Sequence, residues 1–139
     1  MEDLKIYKAK NLSSLSLDFY INPVCAGFPS PAEDHLDVAL DLRKGSKTFG
    51  KHFKVILTAD NNKSVFLPAG FAHGFLALKK ENIVNYNITN YRSAKHEVSL
   101  VWNDKDLKIK WPIKNPILSK KDKMALTFYE YKKLHMKNS

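Results

Sequence analysis

The chain has 139 residues, 44% of them hydrophobic and 12% aromatic, which suits one globular domain with a real core and is too short for two. The formal net charge of +9 comes mostly from lysines scattered over turns and strand ends, so it reads as a solvated surface and not as a nucleic-acid face, while remaining compatible with a small anionic ligand. One cysteine, Cys25, excludes an internal disulfide framework. With no signal-peptide pattern after Met1 and no apolar run near the roughly 20 residues of a membrane span, a cytoplasmic protein without a membrane role is expected.

In chain order, the first clear element is a strand over 35–43. Leu36, Val38, Leu40 and Leu42 alternate with His35, Asp37, Asp41 and Arg43, and a strand sends these two sets to opposite faces. One face is therefore apolar, and the other gathers ionisable groups along a cavity or a solvated surface. Short strands are predicted at 53–57, 65–67, 75–78, 83–88 and 98–102. They are separated by turn residues at Lys44-Gly45-Ser46, Asp60-Asn61-Asn62, Pro68-Ala69-Gly70 and Asn103-Asp104. The segment 120–133 reads as a helix, with Ser119 as N-cap and Asp122 in the first turn. Evenly spaced short strands followed by one helix give a mainly β fold, an antiparallel sandwich or barrel. There is no internal repeat.

Three regions carry a family resemblance. Asp37-Val38-Ala39-Leu40-Asp41-Leu42-Arg43, running on to Ser46-Lys47-Thr48-Phe49-Gly50, is similar to a D-V-A-V-D-x-R-x-x-S-P-T-F-G segment, with Lys47 in place of proline. Pro68-Ala69-Gly70-Phe71-Ala72-His73-Gly74-Phe75 resembles a P-x-G-F-A-H-G-F block. Tyr86, Tyr91, Trp102-Asn103-Asp104, Trp111-Pro112 and Leu118-Ser119-Lys120-Lys121-Asp122 continue the pattern. Together they resemble the nucleotide-4-keto-sugar 3,5-epimerases of the dTDP-4-dehydrorhamnose type, over residues 36 to about 128. That resemblance implies a cupin-like jelly roll, a divergent N-terminal segment at 1–35, a core at 36–128 and a basic tail at 129–139. It also implies a homodimer acting on a nucleotide-diphosphate sugar in surface-polysaccharide or deoxysugar synthesis.

The implied reaction inverts C3, C5 or both, next to a C4 ketone that makes their protons acidic, through a base and an acid on opposite faces and without metal or redox cofactor. Carried over by position, Tyr86 is the acid and Asp122 the carboxylate that orients the base. Asp37, Arg43, His73 and Tyr91 are substrate contacts. Each also has a plain structural reading: Tyr86 as a packing tyrosine, Asp122 as a first-turn aspartate, His73 as a buried histidine.

The family's R-G-x-H motif, which supplies the basic histidine, is missing from the stretch before Leu36, and its nucleotide-gripping segment is not recognisable in residues 1–21. His35 is the local candidate for the base, because it lies two residues from Asp37 and so on the same strand face, although Pro29 and Pro31 place it near a loop. Two other readings stay open: a catalytically silent paralogue that binds a sugar nucleotide or a partner, and a cupin-like module for another anionic ligand. A metal site made of His35, Asp37 and His73 is a further alternative. Strand edges and the aliphatic face of Leu36, Val38, Leu40 and Leu42 are expected to need cover, which argues for the homodimer.

Overall fold

The computed structural model describes residues 5–8 and 34–136, apart from 59, 62, 81, 85, 90 and 92. Cys25, Pro29, Pro31, Arg92 and most of the segment 1–35 lie outside the described residues. Five strands, β1 (Lys5–Lys8), β2 (His35–Asp41), β3 (His52–Leu57), β4 (Lys63–Phe66) and β5 (Phe71–Ala77), precede two helices, α1 (Lys120–Lys123) and α2 (Phe128–His135), with a 3₁₀ turn at Ala94–His96.

The alternating strand becomes the centre of an antiparallel sheet ordered β3-β2-β5. Its register sets Leu36 against Ile56 and Leu76, and Asp37 against Val55 and Phe75. A second antiparallel pair joins β1 to β4. Being central, β2 is buried along its whole length on both faces, the polar one included. The even-numbered face is covered by the chain's own C-terminal half. Leu40, Leu107 and Phe128 form its buried cluster, flanked by Leu42, Phe49, Ala72, Leu100, Ile109 and Tyr131. Lys54 Nζ donates to the Lys110 carbonyl at 2.8 Å, and the Trp111 ring lies 4.0 Å from where a Cβ on Gly74 would stand. Each such apolar side chain removed from water is worth roughly 1.5–3 kcal/mol. Leu36, Val38 and Leu40 are thus sealed within one chain, and the expectation that they need a second subunit is corrected.

One carboxylate fixes this cover. Asp104 Oδ1 accepts from the backbone N–H of Asp106 (2.9 Å) and Leu107 (3.1 Å), which closes the turn that feeds Leu107 into the core. Its Oδ2 accepts from Phe128 N at 2.8 Å, at the first position of α2. Thr127 and Glu130 complete a capping box there.

Several predicted elements differ. The helix expected over 120–133 is two helices, because Leu126 pairs with the chain at 99–101 through Val101 N to Leu126 O (2.8 Å) and Leu126 N to Ser99 O (2.9 Å), and Thr127 then starts a new helix. The same pairing is all that forms of the strand predicted at 98–102, a parallel bridge between Leu100 and Leu126. No strand forms at 83–88 among the described residues, and the predicted 65–67 strand sits earlier as β4. β5 begins at Phe71, four residues before its predicted start, because β2 offers it partners down to Asp41. Ser119 caps α1 as expected, its hydroxyl accepting from Asp122 N.

Candidate functional site

The odd-numbered face of β2 carries the ionisable set, and the strand spacing places Asp37 between two imidazoles. His73 on β5 brings Nε2 to 3.1 Å from Asp37 Oδ1, and His35 on β2 brings Nε2 to 3.8 Å from Asp37 Oδ2. Phe75, directly opposite Asp37 in the register, has its ring 6.3 Å from each imidazole, and meets His35 edge-on. Asp37 is buried, and the two imidazoles are the ionisable groups beside it. The two histidines differ in access: the His73 side chain is 33% exposed and that of His35 11%. When Asp37 accepts this bond, Nε2 of His73 donates it and Nδ1 is left with the lone pair. A side chain held this way can take up a proton and have the resulting charge stabilised from behind.

At the far end of the same face lies a second carboxylate, Asp41, only 2% exposed. Arg43 donates to it from the backbone N (2.9 Å), Nε (3.0 Å) and a terminal guanidinium nitrogen (2.8 Å). Ser46 Oγ (2.7 Å) and Thr48 Oγ1 (2.6 Å) complete the shell. The Arg43 guanidinium holds the Asp41 carboxyl well below the usual carboxylate range, against the effect of burial and with help from Thr48 and Ser46. The guanidinium also lies 4.6 Å over the Phe71 ring. Gly70 makes room for it: its φ is +88°, and a Cβ there would stand 2.5 Å from Arg43 Cγ. Asp41, Ser46 and Thr48 were not singled out by sequence reasoning. The signal available was Asp41 on the face of Asp37, with two hydroxyls in the turn just beyond.

The remaining residues have other surroundings. Asp122 is bound to Ser119, whose hydroxyl donates to Oδ2 at 2.6 Å on the exposed first turn of α1. Tyr86 and Tyr91 are exposed. The structure therefore joins His35, Asp37 and His73 in one group and Arg43 with Asp41 in another. Among the described residues no set of three or more His, Cys, Asp or Glu side chains is arranged to hold a metal ion, which removes the alternative built on His35, Asp37 and His73. No described helix is long and apolar enough to cross a membrane.

The family model for dTDP-4-dehydrorhamnose 3,5-epimerase matches residues 34–130. The chain belongs to this epimerase family. A dTDP-4-dehydrorhamnose 3,5-epimerase of Pseudomonas aeruginosa is 45% identical over 93 residues, which are 66% of this chain and 51% of that protein. The chain thus spans about half the length of the curated relatives it matches. Among solved structures, a dTDP-6-deoxy-D-glucose-3,5-epimerase of Legionella pneumophila in complex with dTDP-4-keto-L-rhamnose superimposes with a TM-score of 0.59 at 35% identity, over 68% of this chain and 50% of that one. ChmJ, a 3'-monoepimerase of Streptomyces bikiniensis in complex with dTDP-quinovose, gives 0.61 at 30% identity, over 77% and 59%. The expected fold holds: mainly β, antiparallel, of the cupin-like jelly-roll kind shared by these epimerases.

Proposed function

We propose that the protein is an isomerase of nucleotide-linked 4-keto-6-deoxy sugars, inverting C3, C5 or both by removing a proton beside the ketone and returning one to the opposite face. The observation that carries this reading is the Asp37–His73 pair, an accessible imidazole backed by a buried carboxylate at 3.1 Å on a sheet face. Abstraction next to a carbonyl needs a base and a counter-charge for the imidazolium that forms, and the imidazole and carboxylate of this pair are of those two kinds. The orienting duty that the resemblance gives to Asp122 falls in this reading to Asp37, with Tyr86 as the acid and Tyr91 as a sugar contact. The net charge of +9 is compatible with a diphosphate-bearing substrate. Relatives bound to dTDP-4-keto-L-rhamnose and dTDP-quinovose support a dTDP sugar as the substrate class.

A second reading, a silent paralogue that binds without turnover, has one observation in its favour: Arg43, expected at the substrate, is engaged by Asp41 and Phe71. Proton NMR with dTDP-4-keto-6-deoxyglucose in heavy water separates the two. Loss of the C3 or C5 proton signal above the protein-free rate is expected. Binding of the nucleotide sugar with no exchange at either carbon would replace the isomerase by the silent paralogue.

A further inference from the structure

Two imidazoles face one carboxylate, but not equivalently. Asp37 Oδ1 is taken by His73 at hydrogen-bond distance, whereas Oδ2 looks at His35 Nε2 across 3.8 Å, too far for a formed hydrogen bond and close enough for electrostatic attraction. A carboxylate with only one oxygen engaged can rotate and release its partner. A ring on the other oxygen restrains that rotation. His35 is itself restrained, since it is a residue of the central strand, largely buried, with the edge of Phe75 against it. Its limited access keeps it from reaching a sugar, while the side chain of His73 on the neighbouring strand is about a third exposed and turns Nε2, not Nδ1, to Asp37.

We infer that the pair divides the work: His73 Nδ1 exchanges the proton with the substrate carbon, and His35 is a positioning residue that acts on His73 through Asp37. This rests on the isomerase reading above and specifies its base. In the step, the C–H bond beside the ketone breaks and its electron pair moves into an enolate on the C4 oxygen. The proton joins Nδ1, and the hydrogen on Nε2 stays shared with Asp37, so the new imidazolium is paired with the carboxylate. Reprotonation from the acid on the other face completes inversion; the proton on Nδ1 then leaves to solvent and the acid regains one from solvent.

The test uses the full chain, ¹⁵N-labelled, with the ring nitrogens of His73 read by long-range ¹H–¹⁵N correlation in the wild type, His35→Leu and His35→Gln. The wild type is expected to show a protonated Nε2 and a lone-pair Nδ1. His35→Leu should turn this into a mixture of tautomers, and His35→Gln, whose amide can stand where Nε2 was, should restore it. In the exchange assay, His35→Leu is expected to lose about tenfold in kcat at unchanged KM, with His35→Gln recovering most of it. His73→Asn should lose at least about 100-fold. An unchanged His73 signature and rate in His35→Leu would overturn the positioning role, and wild-type exchange in His73→Asn would overturn the base. If the wild type exchanges nothing, the isomerase reading and the base fall together, and the tautomer signature still decides what His35 does to His73.

Discussion

Replacing Asp41 by asparagine keeps its shape and removes its charge. The side chain is buried, and it holds the Arg43 guanidinium on two nitrogens, the Arg43 backbone N–H and the hydroxyls of Ser46 and Thr48. An amide turns an NH₂ group towards some of these donors and leaves the Arg43 charge, itself only 21% exposed, without its counter-ion. Removing one partner of a buried ion pair costs about 3–5 kcal/mol, a large part of the roughly 5–15 kcal/mol that holds a domain together. With a urea slope of roughly 1–3 kcal/mol/M, the unfolding midpoint should fall by at least about 1 M. The pH dependence checks the cause. Because the folded carboxyl lies below its ordinary value of 3.8, its stabilisation is complete above that pH and is lost as the pH falls through the folded value. Asp41→Asn should therefore flatten the acid limb of the stability curve as well as lower its plateau. A loss under about 1 kcal/mol, or an acid limb identical to the wild type, would refute the reasoning.

Gly70→Ala places a Cβ 2.5 Å from Arg43 Cγ at a φ of +88°, so a loss of about 1–3 kcal/mol in thermal unfolding is expected; an unchanged midpoint would show that Arg43 can move aside. Burial first, and then the charge of Lys54, pushes the His52 imidazole below its usual 6.5, partly offset by the Leu107 backbone. That contribution is present above 6.5 and is lost as the pH falls below it, so His52→Gln should weaken the pH dependence of denaturation in this window. Exposed Phe53, Phe75, Ile83, Tyr86 and Ile88 support a homodimer in solution, and sedimentation as a monomer at micromolar concentration would remove that proposal.

The centre of the fold was legible because β2 alternates, and alternation is a local property: it separates Leu36 from Asp37 in any context. The cluster around Asp37 was partly legible for the same reason, since His35 and Asp37 share a face by spacing alone. That Asp37 would hold His73 required the β2–β5 register, which no local pattern contains. Residues 98–102 have strand-forming composition but owe their conformation to what lies beside them. For Leu100 that neighbour is Leu126, and the same contact divides the predicted helix. In the sequence Arg43 is a cation available to a substrate, because a sequence shows its charge and not the carboxylate folded against it.

Asp104 has a consequence beyond the core it organises. By holding the 104–107 turn and the first N–H of α2 together, it closes the chain from Lys108 to Thr127 into a loop whose two ends are already joined. Lengthening a closed loop costs little, about 0.6 kcal/mol for each doubling. The stretch around Ile113–Ile117 is mostly exposed, and it is the place where this molecule can absorb an insertion, or a protease nick, without letting go of the lid over its central strand. Limited proteolysis followed by gel filtration reads this directly: the nicked chain should elute in the volume of the intact one.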